Sequence, residues 1–310
     1  MKILITGIHG FVGSNLVESL SREHIIYGLD IVSPIKKGVS YTFSWDDLDK
    51  GIIPDVDAII HLAGKAHDTK NDAVAEVYFK VNTGLTQKIY DCFLRSSAQK
   101  FIFFSTAKAA ADKVEGVLTE DVVPAPIGPY GESKIKAEEY ILSHPVDGKQ
   151  VYILRPCMIH GPGNKGNLNL LYGVVSKGIP WPLGAFENRR TFTSIDNLSF
   201  VINGLLMKDV PSGIYNMGDD ETLSTNELIE VICESLRKKA HIWRLPKGLM
   251  NGVAKVGGWL HLPLDPERLR KLTENYISSN AKIKAALGIE QMPVRAVDGL
   301  KKTLESFTGK

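Results

Sequence analysis

The stretch Ile5-Thr6-Gly7-Ile8-His9-Gly10-Phe11-Val12-Gly13 ("ITGIHGFVG") places three glycines at three-residue spacing. Before it, Lys2 to Thr6 reads as a buried strand; after it, Phe11 to Ser21 carries apolar residues at helical spacing. Glycines in such a loop let the backbone turn sharply and approach a phosphate, whose charge then faces the start of the helix. Ile25 to Asp30 reads as a second strand, and Asp30 follows Gly7 by 23 residues. That is where a carboxylate accepts bonds from the ribose hydroxyls of adenosine. A carboxylate there also repels the additional phosphate of NADP, so the expected cofactor is NAD. Gly7, Gly10, Phe11, Val12, Gly13 and Asp30 are its first candidate contacts.

Further short apolar runs follow at Asp57 to Ala63, Phe101 to Thr106 and Val151 to Arg155, with helical patterns at Asp72 to Arg95 and Tyr130 to Leu142 between them. Strands alternating with helices predict an α/β fold, a doubly wound parallel sheet covered on both faces. Beyond residue 160 the texture changes to Gly/Pro-punctuated loops and helices. Ser224-Thr225-Asn226-Glu227 is a capping box opening a helix to about Arg237; Asp265-Pro266 starts another, and Gly288 closes one that begins near Asn280. The expected division is a dinucleotide-binding domain over 1–160, rejoined by segments around 190–215, and a smaller, mostly helical substrate-binding domain over 161–310.

Tyr130-Gly131-Glu132-Ser133-Lys134 puts a phenol and an ammonium one turn apart on one helix face. A tyrosine has a pKa of about 10 and is a poor base near neutrality. A nearby ammonium and an oxidised nicotinamide are expected to lower it, so that Tyr130 takes a proton from a sugar hydroxyl while hydride leaves the same carbon. A hydroxyl at the end of the preceding strand completes the set, and of Ser105 and Thr106 the latter is chosen.

The glycine spacing, Thr106, Tyr130 and Lys134, with His61-Leu62-Ala63-Gly64 and Val81-Asn82, resemble the extended branch of the short-chain dehydrogenase/reductase superfamily. The resemblance is to its nucleotide-sugar epimerases and dehydratases and runs over nearly the whole chain. It implies a Rossmann-type NAD domain with Leu62, Ala63, Gly64 and Asn82 along the cofactor and Lys134 on the nicotinamide ribose. The loop Pro162-Gly163-Asn164-Lys165-Gly166-Asn167-Leu168 and the run ending Arg189-Arg190-Thr191-Phe192 resemble the substrate half of a UDP-glucose 4-epimerase-like subgroup that includes UDP-4-keto-6-deoxy-hexosamine reductases. By that resemblance Asn167 and Leu168 contact the nucleotide diphosphate and Arg190 its phosphates, a pairing that suits a guanidinium. Arg189 remains open as the alternative. Arg268 is a candidate for a second nucleotide contact, with Arg270 in the same helix. The Asp-Glu pair that follows the catalytic Thr in 4,6-dehydratases is Ala107-Lys108 here, which argues against dehydration. Two further departures are Ala110-Ala111, where Tyr-Gly is usual, and Met158, where many 4-epimerases carry Asn. The expected activity is NAD-dependent 4-epimerisation of a UDP-hexose or UDP-N-acetylhexosamine through a 4-keto intermediate. The alternative is an NAD(P)H-dependent 4-ketoreductase. A non-catalytic NAD-sensing role is the third possibility, disfavoured because Tyr130 and Lys134 are both kept.

A net charge of +2 implies neither a nucleic acid nor a membrane as partner. Arg237-Lys238-Lys239 reads as the solvated end of a helix. Cys92, Cys157 and Cys233 are too dispersed for a disulfide framework or a zinc site and fit a reducing cytoplasm. The N-terminal apolar run is interrupted by Gly7, so no secretion signal is expected, and no apolar run suits a membrane span. No metal is expected. Relatives pair through a four-helix bundle, which makes Asp72–Arg95 and the Tyr130 helix a possible homodimer face.

Overall fold

A computed structural model describes residues 1–65, 74–164, 166–260 and 264–307; Asp72, Ala73 and Lys165 lie outside them. In chain order the strands are β1 (Lys2–Thr6), β2 (Ile25–Leu29), β3 (Tyr41–Phe43), β4 (Ala58–His61), β5 (Lys100–Phe104), β6 (Val117–Leu118), β7 (Gln150–Pro156), β8 (Met158–His160), β9 (Arg190–Ser194), β10 (Gly213–Met217), β11 (Thr222–Leu223) and β12 (Ile277–Ser278). Seven of them form one sheet in the order β10-β7-β5-β4-β1-β2-β3, every neighbouring pair parallel. From β1 the chain winds outward to β3, then crosses back to place β4 on the other side of β1. The direction of winding therefore reverses between β1 and β4, and a doubly wound sheet opens its ligand crevice at that point, beyond the carboxyl ends of the strands. This is the Rossmann-type architecture expected from the alternating pattern.

Alternation of side chains across the sheet explains why its strands are apolar throughout. Ile3, Ile5, Ile60, Ile102 and Phe104 face a core shared with Leu16, Val17 and Leu20 of the Phe11–Leu20 helix. Leu4, Ile59, Phe101 and Phe103 face the opposite core, with Ile89, Tyr90 and Phe93 of the Leu85–Arg95 helix and Ala137 and Ile141 of the Pro129–Ser143 helix. The inner faces of the two helices considered for a dimer are thus packed on their own sheet. The long helix predicted to reach Arg95 is described from Ala75 and is interrupted by a π-helical run, Phe79–Gly84, which contains the buried Asn82.

The chain returns to the first unit after leaving it. The Ile195–Met207 helix buries Leu198, Val201, Ile202 and Leu205 in the core over the Phe11–Leu20 helix, and β10 then extends the sheet beyond β7. A second core joins Leu168, Val175, Leu183, Phe192, Leu228, Ile232, Met250, Ala254, Leu300 and Leu304, beside the small sheet β11-β9-β8. The Ser224–Glu227 capping box, the Asp265 cap and the left-handed Gly288 all form as their sequences predict.

The tightest point is the glycine loop. A Cβ on Gly13 would lie 2.5 Å from the Gly7 carbonyl oxygen and 2.8 Å from Ile8 Cα. Gly13→Ala is expected to cost about 1–3 kcal/mol through backbone displacement and to weaken NAD binding. Gly173→Ala, at a helical position with nothing within 4 Å of the added carbon, is expected to be neutral or to gain up to about 1 kcal/mol. Thermal unfolding and NAD titration check both, and equal behaviour of the two variants would contradict the clearance argument.

Candidate active site

The loop after β1 is built to receive an anion. Gly7 adopts a left-handed φ of 67°, and its N–H donates to the Leu29 carbonyl (2.8 Å). A Cβ there would meet the Ala63 nitrogen at 2.9 Å, so only glycine allows β1 and the end of β4 to come this close. Gly10 caps the Phe11–Leu20 helix, whose first turn holds no acidic residue, leaving the amides of Phe11, Val12 and Gly13 for a phosphate. Asp30 accepts from the His9 N–H (3.0 Å) and the Ile31 N–H (2.8 Å), which fixes its carboxylate at the rim of this loop with lone pairs to spare. Lys36 donates to Ser14 Oγ (2.6 Å); burial lowers its pKa, while Asp30 acts in the opposite sense. A glycine cradle that a Cβ would fill, beside a bare helix start and a fixed carboxylate, fits a dinucleotide.

A buried hydrogen-bond chain links this loop to the Pro129–Ser143 helix. Thr86 Oγ1 donates to the Asn82 carbonyl (2.6 Å), so it accepts from His61 Nε2–H (2.9 Å). His61 Nδ1 then accepts from Thr6 Oγ1 (2.7 Å), which itself accepts the amides of Leu62 (3.2 Å) and Ala63 (3.0 Å). The network assigns this tautomer, and burial, with the charge of Lys134, holds the His61 pKa well below the usual imidazole range. His61 is accordingly a neutral structural link. Asn82 accepts from the Lys65 N–H (2.7 Å) and donates to the Lys65 carbonyl (3.1 Å) and to Ser133 Oγ (2.9 Å). Gly64 passes so close that a Cβ would lie 2.9 Å from Asn82 Oδ1 and 3.2 Å from Lys134 Nζ.

The Pro129–Ser143 helix carries Tyr130, Lys134 and Glu138 on successive turns. Burial raises the Tyr130 pKa, a hydrogen bond with Thr106 lowers it and Tyr78 raises it again; the net direction is upward. The expected lowering depends on an oxidised nicotinamide as well as Lys134; among the chain's own groups, burial outweighs every stabiliser of the phenolate. Lys134 Nζ donates to the Phe104 carbonyl (2.7 Å) and lies 5.0 Å from the Phe103 ring centroid. Burial pulls its pKa down to about 8 against the opposing charge of Glu138.

Of the two strand-end hydroxyls, Thr106 meets Tyr130, whereas Ser105 Oγ donates to Glu138. Glu138 is fully buried and also accepts from Arg155 Nε (3.0 Å) and Nη2 (2.5 Å). Neither Glu138 nor Arg155 was among the sequence candidates. The available signals were the third turn of the Tyr130-Lys134 face and a lone arginine in the apolar β7 run.

Beyond β8, Leu168 is buried in the second core, and Asn167 begins the Asn167–Ser176 helix, whose Gly166 cap makes no side-chain hydrogen bond. Arg190 points inward, donating to the Lys271 carbonyl (2.9 Å), and burial lowers its pKa. Arg189 is turned outward onto Glu227 (2.9 Å). Arg268 is exposed beside Asp265 (3.5 Å), whereas Arg270 joins Asp112 (3.4 Å) and Glu274 (2.8 Å). Lys108 bonds Asp112 (2.9 Å) and lies 4.7 Å from the Tyr276 ring centroid, and the Tyr276 hydroxyl donates to the Ala111 carbonyl (2.8 Å). His160 lies outside this cluster, buried against Thr303 (2.9 Å). No group of three or more potential metal ligands occurs among the described residues.

Residues 3–218 match the NAD dependent epimerase/dehydratase family. The chain belongs to that family and is an NAD-dependent sugar-nucleotide enzyme of the extended short-chain dehydrogenase/reductase type. It is 31% identical over 262 residues to a UDP-glucose 4-epimerase of Vibrio cholerae, covering 79% of this chain and 78% of that one. It is 26% identical over 262 residues to the N-acetyl-alpha-D-glucosaminyl-diphospho-ditrans,octacis-undecaprenol 4-epimerase of Escherichia coli O157:H7, covering 81% and 78%. Its fold is similar to that of the UDP-glucuronic acid 4-epimerase from Bacillus cereus in complex with NAD, with a TM-score of 0.76 and 22% identity over 100% of this chain and 99% of that one.

The buried ammonium of Lys134 opposes folding. Its pKa falls from 10.5 to about 8, so Lys134→Met is expected to raise stability at pH 7 by up to about 3 kcal/mol while losing turnover. Between pH 8 and 10.5 the unfolded chain holds a proton that the folded wild type has released. Wild-type stability therefore rises through that window and the advantage of the variant shrinks. Thermal melts at pH 7, 9 and 10.5 test this; a pH-independent gain would exclude the charge as its cause.

Proposed function

We propose that the protein is a nucleotide-sugar 4-epimerase acting on a UDP-hexose or UDP-N-acetylhexosamine. The observation that carries this reading is the Tyr130–Thr106 hydrogen bond beyond the carboxyl end of β5, the strand beside β4, with Lys134 on the next helical turn. Gly7, Gly10, Phe11, Val12, Gly13, Asp30, Leu62, Ala63, Gly64, Asn82 and Lys134 would hold NAD, which when bound accepts and returns hydride at the sugar. Tyr130 takes and restores the proton of the C4 hydroxyl, and Thr106 orients that oxygen against the phenol. Because burial raises Tyr130, the phenolate depends on cations brought close to it, and Lys134 is the nearest that the chain supplies on that helix face. Asn167 and Leu168 amides and the Arg190 guanidinium are assigned to the diphosphate. The 31% identical Vibrio cholerae relative supports the reading. Dehydration is disfavoured because Ala107 has no proton to give and Lys108 is engaged by Asp112.

A second reading, 4-ketoreduction with NADPH, has one observation in its favour: Lys36 stands near Asp30 and would offset repulsion of an adenosine 2′-phosphate. Release of stoichiometric NAD on denaturation of the purified protein is expected for the epimerase. A cofactor-free preparation that oxidises NADPH with a 4-keto sugar nucleotide would replace that reading by the reductase. Tyr130→Phe should lower kcat by about 10²–10⁴-fold with NAD content unchanged. Arg190→Ala should raise KM for the sugar nucleotide more than Arg189→Ala; the reverse order would move the phosphate contact to Arg189.

A further inference from the structure

The Lys247–Trp259 helix has two apolar stripes, of which the fold uses one. Met250, Ala254 and Gly257, at i, i+4 and i+7, are buried, the first two in the second core. Leu249, Val253, Val256 and Leu260, at i, i+4, i+7 and i+11, form a second stripe that is turned to solvent, Leu249 and Val256 each 55% exposed. Trp259 beside them is 80% exposed, and Trp243, in the segment entering the helix, is 54% exposed. A contiguous helical stripe of this kind differs from the scattered apolar residues of an ordinary surface.

The surrounding charge says what covers it. Between Ser235 and Leu264 there are six Lys and Arg residues (Arg237, Lys238, Lys239, Arg244, Lys247 and Lys255) and no Asp or Glu, in a chain whose net charge is only +2. None of the six forms an ion pair among the described residues, although cations elsewhere, such as Lys88, Lys284, Lys301 and Lys302, do. Lys247 opens the helix, its ammonium 5.6 Å from the Phe186 ring centroid, and Lys255 stands one turn before the exposed Trp259. A second copy of the chain is a poor occupant, because a two-fold contact would bring this cationic patch against its like. Aliphatic residues and tryptophan on one face, in a segment with six cations whose first following acid, Asp265, is engaged as the cap of the next helix, match the requirements of a helix lying in the interface of an anionic bilayer. No helix among the described residues is long and apolar enough to cross a membrane, so the contact is with the surface alone.

We propose that the Lys247–Trp259 helix docks the protein on an anionic lipid surface, with Leu249, Val253, Val256, Trp259 and Leu260 in the acyl boundary and the cations of the surrounding segment on the headgroups. The proposal concerns a surface separate from the candidate active site and does not depend on which reaction occurs there. Docking through this helix would turn the substrate half of the molecule, and not the nucleotide-binding sheet, toward the bilayer.

Flotation of the full chain with vesicles of equimolar phosphatidylglycerol and phosphatidylcholine tests it, with pure phosphatidylcholine vesicles as reference. At least about 10-fold more protein should float with the anionic vesicles, and the excess should fall in high salt. The double variants Val256→Asp/Trp259→Ser and Lys247→Glu/Lys255→Glu should each lose most of the excess while keeping wild-type circular dichroism, NAD content and turnover of a soluble sugar nucleotide. Absence of binding by the wild type, or undiminished binding by both folded variants, overturns the proposal. So does a dimer in light scattering that Val256→Asp dissociates, which would make the stripe a self-interface.

Discussion

One buried hydrogen bond, Thr6 Oγ1 to His61 Nδ1, fastens the two strands between which the sheet changes direction, and both halves of the candidate site depend on it. Thr6 can accept the Leu62 and Ala63 amides only because its own proton is committed to His61. His61 can accept that proton only while it is neutral, and burial keeps it so. The remaining imidazole N–H leads through Thr86 to Asn82, and Asn82 leads to Ser133 on the helix of Tyr130. Each member is buried, and a buried polar group left without its partner costs about 1–3 kcal/mol. The directionality of the chain therefore sets the distance between the glycine cradle and the Tyr130 helix more tightly than apolar packing alone would.

The same helix carries a destabilising group into the candidate site. Lys134 has one carbonyl partner and an aromatic ring around its ammonium, too little to replace water, which is why its pKa falls. Glu138 opposes that fall while it is itself bound by Arg155 and Ser105. Such an ion pair contributes little net stability when buried, but removing one member would strand the other. Its geometric consequence is more direct. Ser105 precedes Thr106 and Arg155 lies on β7, so Glu138 fixes the end of β5 to its neighbour and holds Thr106 opposite Tyr130.

What the sequence revealed was what local pattern encodes. The glycine loop, Asp30 and the Tyr130-Lys134 spacing each lie within one strand, turn or helix, and alternation of apolar runs with helices predicted the parallel sheet. β3 was missed because it is three residues long and incompletely buried, and β10 because its strand character depends on a register with β7 some sixty residues earlier. Ser133, Glu138 and Arg155 escaped for the same reason: their partners are distant in sequence, and a serine, glutamate or arginine considered alone looks like surface. The burial that raises Tyr130 in the chain by itself could not be read from the sequence, because composition gives charges but not the desolvation that opposes them.

The wall beyond Thr106 limits the chemistry open to the site by how its charges are already engaged. Lys108 follows Thr106 by two residues, and its amino group is held by Asp112 and lies over the Tyr276 ring. Burial pushes the Asp112 carboxyl up, but Lys108 and Arg270 outweigh it and hold the carboxyl below its usual value, so it has no proton to lend near neutrality. Arg270 is shared with Glu274, and burial drives the Tyr276 phenol far above its ordinary range. Lys108, Asp112, Arg270 and Glu274 of this wall are thus engaged with one another. Under the proposed function the wall would recognise the sugar and its phosphates, and proton transfer would fall to the Tyr130–Thr106 pair, confining the chemistry to a single carbon and its hydroxyl.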